Sequence, residues 1–163
     1  HVNANTKSFL RGLPFRIDIR PAGGHVAGPT VTLVHATPLN NLIYVDESRP
    51  DAFLTKMAEV AKLKRGDVLA FGHTHKPWRR TVGEVHFINT GSVGRPKDGD
   101  WRAAYVVLDV RATTARAEIV RVEYDVDEAM RGIRDSTLPA EFAEFLETGG
   151  RPLTVRIPPT DDS

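Results

Sequence analysis

Apolar positions along the chain repeat with two periods, two residues and about 3.6, and the changes from one to the other outline the fold. Phe15, Ile17 and Ile19 alternate with Arg16, Asp18 and Arg20, which predicts a half-buried strand over 15–20. The run Val31-Thr32-Leu33-Val34 is apolar on both faces and predicts a central strand that ends at His35. A Gly-rich turn, from Gly23-Gly24 to Gly28-Pro29, would pair these two strands. From Asp51, Phe53, Leu54, Met57, Val60, Ala61 and Leu63 recur at helical spacing, entered by Ser48 or Pro50 and left through Arg65-Gly66. Val68-Leu69-Ala70-Phe71 returns to strand and Gly72 breaks it. Strand, helix and strand form a β-α-β unit, whose strands run parallel with a right-handed crossover. Both strand ends then lie on one edge of the sheet.

Downstream, strands over 78–82 and 85–88 flank Gly83-Glu84, a tight hairpin turn. Residues 89–100 read as a Gly-rich loop. Strands over 103–110 and 115–124 form an antiparallel pair, with Glu118, Arg121 and Glu123 on the wet face of the second. A helix over 127–134 follows, then one opened by Pro139 and stopped at Gly149-Gly150, with Phe142, Phe145 and Leu146 as its buried stripe. At the other end, residues 3–11 read as a short helix with Phe9 and Leu10 inward, closed by Gly12 and Pro14. The expected organisation is one domain over residues 1–150 and an extended tail over 151–163.

Composition changes this picture by exclusion. Hydrophobic residues at 40% and charged residues at 26% are soluble-globular values, and no apolar run approaches the roughly 20 residues of a membrane span. The 22 basic and 21 acidic side chains are interspersed and sum to +1, so neither nucleic acid nor an anionic membrane is an expected partner. Cysteine is absent, which excludes disulfides and thiolate metal sites and leaves His, Asp, Glu and Asn as candidate ligands. A cytoplasmic location is the expectation. The chain opens on His1 without an initiator Met and looks cut there.

In open sheets with parallel strands, ligands collect beyond the carboxyl ends of those strands. His35, His73 and His75 all fall there, and neighbouring strands about 4.8 Å apart would let three imidazoles converge on one metal cluster. Neutral imidazole suits Mn, Fe, Co, Ni and Zn better than Mg or Ca. A lone strand-end histidine is more often a hydrogen-bonded structural residue, but three at one edge make candidate ligands. His86, between Val85 and Phe87 in the hairpin, reads as structural, and His1 and His25 receive no role. The loop Asn89-Thr90-Gly91-Ser92-Val93-Gly94-Arg95-Pro96 has backbone N–H groups to offer an anion but lacks the Lys and Ser or Thr of a P-loop. By composition it is a shaped loop at the site edge. Arg95 and Lys97 read as solvated charges, with attraction of a phosphate as the sharper alternative.

Gly72-His73-Thr74-His75-Lys76-Pro77 together with the 89–96 loop resembles the calcineurin-like metallophosphoesterase superfamily, and within it the small prokaryotic phosphodiesterase branch. The resemblance extends from about residue 3 to 150 and takes in Leu33-Val34-His35, Asp98-Gly99-Asp100 and Leu138-Pro139-Ala140-Glu141-Phe142. It implies a four-layer α-β-β-α sandwich of two mixed sheets with a site at the strand ends. It further implies two divalent transition-metal ions (Mn, Ni, Co, Fe or Zn), with His73 joining His35 on one and His75 on the other. Such a pair, about 3.5–4 Å apart, activates water for attack on a small phosphate ester.

The sequence departs from that pattern in one respect. Neither an Asp-x-His pair nor an Asn-His dipeptide occurs in the 163 residues, and Gly66-Asp67 and Gly99-Asp100 stand in the wrong places to substitute. The expectation is therefore the C-terminal two-thirds of a phosphoesterase, incomplete at its N-terminus and inactive alone, while the parent protein is a metal-dependent phosphodiesterase or phosphatase. The alternative is a non-catalytic fragment that self-associates into a homo-oligomer or binds a partner, since removal of early strands would leave sheet edges open.

Overall fold

The computed structural model describes residues 2–21, 28–111 and 113–151. The turn around Gly23-Gly24, His1, His25 and the tail beyond Arg151 lie outside the described residues. In chain order the elements are α1 (Ala4–Arg11), β1 (Arg16–Ile19), β2 (Val31–Val34), α2 (Asp51–Ala61), β3 (Val68–Phe71), β4 (Trp78–Val82), β5 (Val85–Asn89), β6 (Ala103–Val110), β7 (Ala115–Val122), α3 (Val126–Arg134) and α4 (Glu141–Glu147). Five strands form a mixed sheet in the order β1-β2-β3-β5-β4, and β6 and β7 form a second, antiparallel sheet. Within the larger sheet β2, β3 and β5 are parallel, while β1 and β4 run antiparallel on the two edges.

The period of two divides β3 between two cores. Leu69 and Phe71 point to one side, where they meet Leu54 and Met57 of α2 together with Val34, Trp78 and Phe87. Val68 and Ala70 point to the other, where Val31 and Ile88 join them against Val106, Leu108 and Ala117 of the second sheet. All four β3 residues are buried, which accounts for the unbroken apolar run. Among the described residues the layers are thus α2, the five-stranded mixed sheet and the two-stranded sheet: the mixed α/β architecture of two facing sheets that the resemblance implies, with the second sheet antiparallel rather than mixed.

Local chemistry fixes the joints. α2 stops at Lys62, which adopts the left-handed conformation (φ 58°) and returns its N–H to Ala58 and Glu59, earlier than the expected exit at Arg65-Gly66. Asp67, buried at the head of β3, accepts the N–H groups of Thr30 at 2.7 Å and Lys64 at 2.8 Å, so one carboxylate ties the head of β2 to the exit of α2. The hairpin turn places Gly83 and Glu84 both at positive φ, 54° and 66°, as a two-residue turn matched to strand twist requires. His86 is a structural residue, as expected: its Nδ1 lies 2.9 Å from Thr81 Oγ1 on the paired strand.

Two expectations fail at the N-terminal end. Helix α1 forms, capped by the Asn3 side chain on the Thr6 N–H, but it buries nothing, and Phe9 and Leu10 are 67% and 52% exposed. No described element packs on it. Ile17 and Ile19 do point to the face between the sheets, since they stand opposite Leu33 and Val31, yet they are 46% and 50% exposed. The two-stranded sheet covers β2, β3 and β5 and does not extend to β1. The polar face of β1 is the bonded one: Asp18 accepts Thr32 Oγ1 at 2.6 Å and pairs with Arg16 at 2.8 Å.

At the C-terminal end, α3 and α4 share a small core of Met130, Ala143 and Leu146. Phe142 and Phe145, expected in that stripe, are instead half-buried and face an arginine of the 89–100 loop.

Candidate metal centre

Parallel pairing of β2 with β3 brings their carboxyl ends level, and the Gly72 N–H donates to the His35 carbonyl at 2.9 Å. Directly beyond, His35 and His73 meet: Nε2 of one ring lies 3.0 Å from Nδ1 of the other, with the rings edge to face at 4.9 Å. Tyr44 lies against His73 with ring centroids 4.3 Å apart. The remaining ring nitrogen of His73, Nε2, is shut away from solvent and makes no well-formed hydrogen bond, although the Leu42 backbone acts on the ring. A buried imidazole nitrogen left unpaired is costly unless something binds it.

His75 is directed elsewhere. Its Nδ1 lies 2.7 Å from the Arg95 carbonyl, which can only accept, so Nδ1 carries the proton and Nε2 keeps the lone pair. Among the described residues no three His, Asp, Glu or Cys side chains form one tight metal-binding group. The structure therefore joins two of the three candidate histidines directly, and the third does not enter one tight group with them.

The turn that carries these rings is strained. His73 and His75 both have positive φ, 67° and 62°, in a region that costs an ordinary L-residue about 1–2 kcal/mol. Asn89, fully buried at the end of β5, holds the turn in place. Its amide donates to the Gly72 carbonyl and to Thr74 Oγ1, both at 2.9 Å, and its carbonyl accepts the Gly91 N–H at 3.0 Å. Gly91 in turn has φ 74°, and a Cβ there would stand 3.0 Å from both Pro77 and Ala104. Sequence reasoning gave Asn89 and Thr74 no role. The available signal was a polar pair, Asn89-Thr90, closing an otherwise apolar strand.

Electrostatics keeps His73 neutral. Burial is the leading cause that pushes its pKa down, and the electrostatic influence of His35, His75 and Lys97 adds to it, against a backbone hydrogen bond at Leu42. Neutral imidazole is the form that ligates metal. The far end of the 89–100 loop is pinned by ion pairs: the Arg102 guanidinium holds the Asp100 carboxyl at about 2, and Arg121 bonds to Asp98.

The donor set suits a borderline transition metal: a buried Nε2 on His73 without a well-formed hydrogen bond, His35 beside it, and on His75 an Nε2 freed by a backbone acceptor at Nδ1. Among the described residues no carboxylate joins these histidines in a metal-binding group.

A fold of two facing sheets with histidines at the parallel strand ends defines a class, and sequence comparison gives it a family. The model of the calcineurin-like phosphoesterase superfamily domain matches residues 15–113, so the chain belongs to that superfamily. An uncharacterised protein of Methanocaldococcus jannaschii is 31% identical over 169 residues, covering 90% of this chain and 60% of that protein. Phosphodiesterase YfcE of Escherichia coli is 47% identical over a shorter stretch of 47 residues, 29% of this chain and 25% of its own length. Among solved structures, the fold is similar to that of a metallophosphoesterase from Sphaerobacter thermophilus, with a TM-score of 0.67 and 22% identity over 91% of this chain and 62% of that one. A hypothetical protein from Pyrococcus horikoshii superimposes with a TM-score of 0.71 at 21% identity, over 91% and 56% of the two chains. The chain thus spans about three-fifths of the length of the relatives it matches along most of its extent.

Proposed function

We propose that the protein is a metal-dependent phosphoesterase acting on small phosphate esters, and that His35, His73 and His75 are its imidazole ligands. The observation that carries this reading is the buried Nε2 of His73, without a well-formed hydrogen bond, on a ring in contact with His35. Family membership and the phosphodiesterase similarity over 47 residues point the same way. His35 and His73 stand together and His75 stands apart, which suits one ion on the pair and a second on His75. Two such ions polarise the phosphoryl oxygen and supply an activated water at neutral pH. Three neutral rings balance none of that charge, so the reading requires carboxylates that the described residues do not bring to this site. The 163-residue chain alone is then expected to hydrolyse nothing, and the protein joined to carboxylate-bearing strands is expected to be active. The test is hydrolysis of p-nitrophenyl phosphate and bis-p-nitrophenyl phosphate with Mn, Co or Ni. Metal-stimulated turnover should disappear in a protein with all three histidines replaced by alanine, and turnover that survives the replacement would refute the assignment.

A second reading, self-association, is favoured by the uncovered β1 edge. Ile17 and Ile19 lie on an inter-sheet face without its cover, and the outer edge of β1 is unpaired among the described residues. A second copy meeting this edge in antiparallel fashion would bury the same side chains from both partners. Light scattering of the 163-residue chain should then give at least a dimer mass, which Ile17→Lys reduces to a monomer. A monodisperse monomer of the unaltered chain would exclude it.

A further inference from the structure

Arg95 does not face the histidines as a phosphate ligand would. Its guanidinium lies 4.9 Å from the ring centre of Phe142 and 5.1 Å from that of Phe145, across one face of α4. Its carbonyl, on the other side, is the acceptor for His75 Nδ1. The same stretch grips residue 75 a second time, since the Lys97 N–H donates to the His75 carbonyl at 3.1 Å.

The end of α4 is pressed on this stretch with no room to spare. The Gly99 N–H donates to the Gly149 carbonyl at 2.9 Å. A Cβ on Gly149 would fall 2.6 Å from the Asp100 nitrogen, and one on Gly150 would fall 2.9 Å from Lys97 Cα. Both glycines also have positive φ, 59° and 78°, so glycine alone satisfies the conformation and the contact. α3 and α4 otherwise keep to their own small core. Their link to the histidine edge therefore runs through the Arg95 stack and the glycine junction.

We infer that α4 is a positioning element for His75: Phe142 and Phe145 hold Arg95, and the Arg95 carbonyl locks the His75 ring as its Nδ1–H tautomer with Nε2 presented as the donor. A free neutral imidazole does not hold one tautomer, and the acceptor at the other nitrogen decides which is populated. Phe142, Phe145 and the Arg95 side chain touch no reacting group. They act through the backbone oxygen of residue 95. The consequence for metal affinity rests on the ligand reading of His75, whereas the consequence for the tautomer does not.

The experiment uses the 163-residue chain with two readouts, the ring nitrogen shifts of His75 by two-bond ¹H–¹⁵N correlation and the affinity for Co²⁺ by titration. The unaltered chain should show His75 wholly as the Nδ1–H form. Joint replacement Phe142→Ala and Phe145→Ala should populate the Nε2–H form and weaken Co²⁺ binding about tenfold, the lower end for loss of a partner behind a ligand. Phe142→Tyr with Phe145→Tyr should restore both values. Arg95→Ala keeps both aromatic rings and α4 intact, and it should move the tautomer as the double replacement does, which keeps the test decisive where the double variant does not fold. His75 still wholly Nδ1–H in folded Arg95→Ala protein would overturn the inference. A tautomer that moves while the Co²⁺ affinity stays unchanged would uphold the positioning role and reject His75 as a ligand.

Discussion

Replacing His73 by glycine is expected to abolish transition-metal binding and yet leave a more stable protein than replacing it by alanine. The first effect follows from losing the buried Nε2 and the ring that meets His35. Co²⁺ affinity should fall by about two orders of magnitude or more, the loss of a ligand being no smaller than the 10–100-fold loss of a group behind one. The second follows from the backbone. At φ 67° an alanine retains the strain that histidine bears, whereas glycine adopts that region freely. Both substitutions remove the same contacts with Tyr44 and His35, so their difference isolates the strain. Glycine should exceed alanine by about 1 kcal/mol in urea denaturation, the reverse of the order at an ordinary helical or strand position. Equal stability of the two would mean that residue 73 is not held in the left-handed region. Unchanged Co²⁺ affinity in both would remove His73 from the ligand set.

That strain bears on what the amino-acid pattern discloses and what it conceals. The parallel β2–β3 edge is legible because two apolar runs flank a helical period, and topology then carries His35 and His73 to the same rim. Burial of all four β3 residues follows from the same run. The left-handed backbone at His73 and His75 is only weakly encoded, since histidine enters that region more often than most residues but does not require it; it is held there because Asn89 ties the turn from another strand. The partnership of Arg95 with α4 joins residues 47 and 50 positions apart through a stack, and no periodicity encodes such a pairing. At β1 the alternation identifies the right face for Ile17 and Ile19 but not its cover, because cover depends on how far the second sheet extends. Local patterns specify which way side chains point, and tertiary reach decides whether anything meets them. In α1 the same gap is wider: the Asn3 cap suffices to start a helix, and among the described residues none of its side chains is buried.

The support of the strained turn leads to the other large effect. Asn89→Ala should cost about 1–3 kcal/mol of stability, since it leaves the Gly91 N–H without its partner and strips the amide bonds from the Gly72 carbonyl and Thr74 Oγ1, which keep only the Thr74 and Lys76 N–H groups. Asn89→Asp should be worse despite its equal size. A carboxylate accepts from Gly91 but has no N–H for Gly72 or Thr74, and it would set a buried charge against a carbonyl oxygen. The order of midpoints in urea should therefore be unaltered chain, then Asn89→Ala, then Asn89→Asp, measured at neutral pH. Acid should narrow the gap between the two variants, because a protonated aspartic acid regains one donor. An Asn89→Asp protein as stable as the unaltered chain would mean that the amide does not bridge the strand ends. The same loosening should appear at the histidines, because Thr74 lies between His73 and His75 and its hydroxyl is one of the two acceptors lost. Co²⁺ affinity should accordingly fall in Asn89→Ala even where the protein is fully folded, coupling the stability of this turn to the site it carries.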